Sequence, residues 1–155
     1  MMKVELMKKV NIKTILILII SIFAVLNLSW FLVTTFKYDG FVEPIPKNKW
    51  GLHFIKKDNY VYSVKKPDYL YYTGNLAVDN TEKQTSLLIW PLISGGYKYG
   101  FRLQEEGEAY EIYVDKNMEP TNKDKGDPDA VQKVEEHKAE LEELFSKANE
   151  MWQFE

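Results

Sequence analysis

The sequence predicts an α+β protein: an N-terminal transmembrane helix, then an antiparallel β-meander sheet covered by one C-terminal amphipathic helix. Three observations predict it. An uncharged apolar run stands near the N-terminus, short aromatic and β-branched runs alternate with turn residues through the middle, and apolar residues recur every three or four positions near the C-terminus.

The apolar run extends from Thr14 to Phe36 without a charged residue and is dominated by Ile, Leu, Val and Phe. As a helix, 23 residues measure about 35 Å, enough to cross a hydrocarbon core of about 30 Å. Lys3, Lys8, Lys9 and Lys13 precede the run against the single Glu5, while Lys37 and Asp39 follow it. Lysine excess on the N-terminal side predicts an inside N-terminus and an outside C-terminus. The expected organisation is a cytoplasmic tail at 1–13, a signal-anchor span at 14–36, an extended linker at 37–49 and an extracytoplasmic α+β domain at 50–155.

A cleaved signal peptide fits the run less well. Its apolar stretch exceeds the roughly 7–15 residues of such segments. No small-x-small site lies near residues 33–39, and Phe31, Phe36 and Tyr38 are bulky where a peptidase prefers small side chains. The absence of cysteine excludes a lipidated-cysteine anchor and disulfide staples. An exported domain without staples reads as bacterial and more Gram-positive than eukaryotic, and the lysine bias, with Arg102 the lone arginine, is what an AT-rich genome would give.

Of 20 basic and 23 acidic residues, five lysines and one glutamate lie at or before Lys37, so the remainder carries a net charge of −7. So acidic a domain argues against nucleic acid or an anionic lipid surface as a partner. Residues 39–49, with Pro44 and Pro46, read as a stiff tether that lifts the domain off the membrane.

Strands are expected at 50–56, 60–64, 69–73, 76–78, 86–90, 97–103 and 110–114. Period-two alternation is cleanest at Tyr97, Tyr99, Phe101 and Leu103 and again at Tyr110, Ile112 and Val114. A polar turn containing Gly107 joins these two runs into a hairpin. Ser86–Trp90 is apolar on both faces and reads as a central strand. Asp127 and Pro128 then supply an N-cap and first-turn proline for one helix running to Trp152.

Two sets of residues are candidate interaction sites. Asn27 sits mid-span with Ser21 and Ala24 on or near one helical face, a pattern that favours packing against another membrane helix, whether a second copy or a different subunit, with a lone Asn tolerated in a very apolar helix as the plain alternative. Tyr69, Tyr71, Tyr72 and Trp90 are candidates for an exposed aromatic surface, with core filling as the plain alternative.

Chemistry is sparser. His53 and His137 read as half-buried structural histidines. Asp115-x-Asn117-x-Glu119 echoes a calcium loop, but Pro120 replaces the turn glycine and Gly126 the closing glutamate. No catalytic residue, cofactor or metal is therefore assigned. The leading expectation is a binding or accessory protein of a bacterial cell envelope that acts through protein–protein contacts, as a subunit of a membrane complex, of a secretion or transfer apparatus, or as an immunity protein. The alternative is an anchored glycan binder or glycan-acting hydrolase, with carboxylates drawn from Glu105, Glu106, Glu108 and Glu111.

Overall fold

The computed structural model describes residues 11–105, 107–121 and 123–154. The lysines at positions 3, 8 and 9, and most of the expected 1–13 tail, lie outside the described residues. The first element, α1, spans Ile12–Val42, capped at its start by the Asn11 side chain, which accepts from the Lys13 N–H at 3.1 Å. It is long and apolar enough to cross a membrane, as an anchor or a signal sequence would be.

The helix outruns the expected span at both ends, and this corrects the reading of 37–49 as extended. Residues 37–42 are helical, and only 43–49 form the irregular connection. Gly40 in a helix interior costs about 1 kcal/mol relative to alanine. Burial offsets that cost: Tyr38 and Ile45 have no exposed surface, and Phe41 and Val42 pack against the core. Pro44 and Pro46 then stop the helix. The expected tether is thus part of the fold, not a spacer.

Six strands follow: β1 (His53–Lys57), β2 (Tyr60–Lys65), β3 (Asn75–Asn80), β4 (Thr85–Pro91), β5 (Tyr97–Glu105) and β6 (Glu108–Val114). They pair consecutively and antiparallel in the order β1-β2-β3-β4-β5-β6, a simple meander. Ser86–Trp90 does lie in an interior strand, where Leu88 is only 7% exposed although it points away from the core. The β5–β6 hairpin follows the sequence expectation, with Gly107 at a φ of +85° in its turn.

The expected strand at 69–73 is absent. Pro67 and Gly74 bound a loop in which Leu70 takes a left-handed φ of +61°. Tyrosine-rich composition resembles a strand, but no neighbouring strand pairs with this segment. Where the sequence predicts one C-terminal helix there are two, α2 (Pro128–Glu136) and α3 (Lys138–Trp152), separated at His137. Asp127 caps α2 as expected, accepting the Asp129 N–H at 3.0 Å.

Alternation along the strands divides the sheet into two faces. Tyr62, Val64, Leu76, Val78, Leu87, Ile89, Tyr99, Phe101, Leu103, Ile112 and Val114 form the inner face. Leu141, Leu144, Ala148 and Trp152 of α3 close over it at spacings of three and four residues, joined by Ala130 and Val134 of α2. At one end of the sheet Phe41 of α1 meets Tyr97 and Phe154, and Trp152 Nε1 donates to the Phe41 carbonyl at 3.0 Å. The β2–β3 and β4–β5 connections leave from this same end.

Candidate functional site

Loop 66–74 carries three of the candidate tyrosines, and it lies along α1. The Gly74 N–H donates to the Tyr38 hydroxyl at 2.7 Å. Farther down the helix, Trp30 Nε1 donates to the Asp68 carbonyl at 3.0 Å, and the Trp30 and Tyr69 rings meet edge to face at 5.2 Å. The Tyr72 hydroxyl lies 2.9 Å from Ser29 Oγ, and the Tyr69 hydroxyl donates to Asn27 Oδ1. Asn27, Trp30, Thr34, Tyr38 and Phe41 follow a 3–4 spacing along one face of α1 about 21 Å long, while Ser29, the partner of Tyr72, lies off that spacing.

This arrangement separates the candidates. Asn27 receives a partner from its own chain in Tyr69, and its amide also donates to the Phe23 carbonyl at 2.8 Å. Ser21 and Ala24 remain exposed on α1. Tyr72 is half-buried against the helix, whereas Tyr69 is 54% and Tyr71 69% exposed. Trp90 is in none of this; it lies on the outer face of the sheet.

That outer face has no helix over it among the described residues. One cross-strand row runs Phe54, Ser63, Ala77, Leu88, Gly100, Tyr113. Gly100 leaves space for the Trp90 ring, which lies flat on the sheet: a Cβ at position 100 would stand 2.8 and 2.9 Å from Trp90 Cη2 and Cζ3. The ring then reaches Tyr113, centroid to centroid 5.8 Å. Lys98 and Lys123 place their ammonium groups 4.0 and 4.4 Å from the centre of the Tyr113 ring.

Arg102 and Glu111 border the platform as a cross-strand ion pair at 2.6 Å. The Arg102 hydrogen bond holds the Glu111 carboxyl below its usual range, against burial acting the other way. Burial, and a hydrogen bond to Glu111, push the Tyr113 hydroxyl up. Both groups are therefore in their ordinary charge states near neutrality, and the surface presents fixed positive charge beside two aromatic rings.

The sequence singled out Trp90 but passed over Gly100, Tyr113, Lys98 and Trp30. Period-two alternation already places Tyr113 opposite Tyr110 and Ile112, and Lys98 and Gly100 opposite Tyr99. The cross-strand register that brings them beside Trp90 is a tertiary fact. Trp30, near the end of the apolar run, was legible only as one more apolar residue.

Of the carboxylates in the hydrolase alternative, Glu105 and Glu108 are cross-strand partners on the inner face, Glu111 lies on the outer one, and Glu106 lies outside the described residues. Glu105 is engaged by Lys133 and, at 2.7 Å, by His137 Nε2. The calcium-like loop uses its first ligand internally, since Asp115 Oδ1 accepts the Asn117 and Glu119 N–H groups at 2.8 and 3.1 Å. Among the described residues no group of three or more His, Cys, Asp or Glu side chains could hold a metal ion.

His137 sits at the break between α2 and α3, half-buried against Phe101, with Glu140 3.3 Å from Nδ1. Burial lowers its pKa, but the hydrogen bonds to Glu105 and Glu140 outweigh burial and leave it above the ordinary 6.5. A raised histidine stabilises the fold fully below 6.5 and loses that contribution as pH rises through its folded value. Thermal unfolding of the wild type should therefore show a stability loss on the alkaline side of 6.5. His137→Gln should flatten that slope. Glu105, lowered chiefly by Lys133, adds the opposite edge, with its contribution lost as pH falls below 4.5.

Compared with protein-family models, with curated proteins and with solved structures, the chain matches none of them. Its function has to be argued from this geometry.

Proposed function

We propose that the chain is a membrane-anchored binding or accessory protein of a bacterial cell envelope, with its N-terminus inside and its domain outside. The uncovered sheet face carries this reading: Trp90 laid over Gly100, Tyr113 beside it, and a rim of Lys98, Lys123 and the Arg102–Glu111 pair. Flat aromatic groups already held in place lose little conformational freedom on binding and serve as contact anchors, while the charges orient the partner. The partner is a protein of the same membrane, met at a local concentration raised by the anchor.

Retention of α1 is supported by its packing. A cut between residues 33 and 39 would strip Trp30 and Thr34 from their docked positions and leave Tyr38 or Phe41 without the helix that holds them over the core. A signal sequence has no need to supply core residues. The lysine asymmetry around the apolar run supports the direction of insertion.

The test is recovery of partners from native membranes in mild detergent, comparing the intact chain with Trp90→Ala. If Trp90 is a central anchor, its truncation should cost at least about 2 kcal/mol, roughly thirtyfold in affinity, and the partner should disappear from the eluate. A partner recovered equally by both proteins would place the contact elsewhere. A wall glycan is the second reading, favoured by the same Trp90–Tyr113 platform, since sugar rings stack on aromatic faces. In that case oligosaccharide should perturb Trp90 fluorescence with no protein recovered.

A further inference from the structure

Among the described residues outside α1, the exposed large apolar side chains are Trp50, Leu52, Phe54, Tyr69, Leu70, Tyr71, Ile93 and Val131. Their distribution is uneven. Loop 66–74 and the β4–β5 connection holding Ile93 leave the end of the sheet where α1 enters, and Trp50 and Leu52 precede the strand that begins at that end. The far end of the sheet is polar by contrast, with turns made of Asp58-Asn59 and Thr81-Glu82-Lys83-Gln84.

Loop 66–74 does more than point toward α1. Gly74 is fixed at the level of Tyr38 and Tyr69 at the level of Asn27, so the loop descends about 16 Å along the helix axis. If the hydrocarbon core begins near Lys13, an untilted helix reaches its other rim some twenty residues later, near Val33. Asn27 is then inside the outer leaflet. Whatever is bonded to Asn27 is at that depth too.

We infer that the loop tip Tyr69-Leu70-Tyr71 enters the outer leaflet beside α1, so that the domain is seated on the bilayer by a second contact. The occupant of this exposed apolar surface is lipid, at the junction of headgroups and acyl chains. The side chains suit that zone. Tyr69, Tyr71 and Trp30 are the amphipathic aromatic types enriched there, and Leu70 between the two tyrosines is 40% exposed. Tyr69 buries its hydroxyl proton in a hydrogen bond to Asn27, which satisfies both polar groups where water is scarce. Charges begin immediately above the tip, with Lys65 paired to Asp68 at 3.0 Å and Lys66 to Asp39 at 2.6 Å, at the height of the headgroups. The inference rests on the anchored reading of α1.

The chain has no cysteine, so single cysteines can carry an environment-sensitive fluorophore without altering other positions. The full chain would be reconstituted in phosphatidylcholine–phosphatidylglycerol vesicles and labelled through Leu18→Cys, Leu70→Cys, Tyr71→Cys or Lys83→Cys. Nitroxide-bearing lipids and an aqueous quencher would then be compared. Labels at 18, 70 and 71 should lose emission to the lipid quencher, and the label at 83 only to the aqueous one. Quenching at 18 with none by lipid at 70 and 71 overturns the loop inference and leaves the anchor standing. Shielding of 70 and 71 from both quenchers overturns it in favour of a protein cover. No lipid quenching at 18 overturns the anchored reading itself. Unfolding of each labelled protein at the wild-type temperature shows that the label has not displaced the loop.

Discussion

Gly74→Ala is expected to destabilise the protein by about 3 kcal/mol or more, close to a 10 °C drop in unfolding temperature for a chain of this size. The reason is steric. A Cβ at position 74 would stand 2.0 Å from the Lys65 carbonyl oxygen, 2.9 Å from Pro67 N and 3.0 Å from the Lys66 carbonyl carbon. These are backbone atoms at the exit from β2, and they cannot swing aside as a side-chain tip could. Relief would require the loop to move away from α1, breaking the Gly74–Tyr38 hydrogen bond and releasing Tyr69 and Tyr72 from the helix. Tyr38→Phe separates the two components: it keeps the ring and leaves the buried Gly74 N–H without its acceptor, at a cost of about 1–3 kcal/mol. Thermal unfolding of the detergent-solubilised full chain measures both. An alanine variant that unfolds at the wild-type temperature would mean that the loop does not hold this course.

Trp152→Ala is expected to cost about 3–5 kcal/mol, the range for deleting a large buried aromatic. Trp152 is 7% exposed and joins three parts of the fold. Its ring meets Tyr62 of β2 and Phe154, and its Nε1–H satisfies the Phe41 carbonyl in the last turn of α1. Carbonyls in a final helical turn have no partner within the helix, so the bond fills a need that the helix itself cannot meet. Trp152→Phe should retain most of the packing and lose about 1 kcal/mol. In a double-mutant cycle with Tyr62→Leu, whose ring lies 6.1 Å from that of Trp152, non-additivity would register the direct contact between β2 and α3.

The parts legible in the sequence were those in which one physical signal acts alone. Apolarity without charge marks α1, and strict alternation marks β5 and β6. An N-cap aspartate before proline marks the start of α2. Errors arose where two signals compete. Residues 69–73 have the composition of a strand, but Pro67 and Gly74 bracket them and their tyrosines bond to a helix instead of a neighbouring strand. Residues 37–42 contain Asp39 and Gly40, which look like a break; Tyr38 and Phe41 continue the 3–4 spacing and win through burial. The interruption at His137 has neither glycine nor proline to announce it. The outer-face platform needed cross-strand register, which relates Trp90 and Lys98 directly and brings Gly100 beside Tyr113.

The unbroken course of α1 from Ile12 to Val42 has a rotational consequence. Each residue of a helix advances the azimuth by about 100°, so every side chain in the first half of α1 holds a set angle to the aromatic face of the sheet. A neighbour that grips Ile17 or Ile20 would meet the sheet from one compass direction only. One residue inserted between Ile20 and Asn27 leaves the docked face intact and swings that direction by about 100°, whereas seven inserted residues bring it back to within about 20°. The helix therefore fixes orientation as well as position, since the heading of the domain is set by the phase of the rod below it.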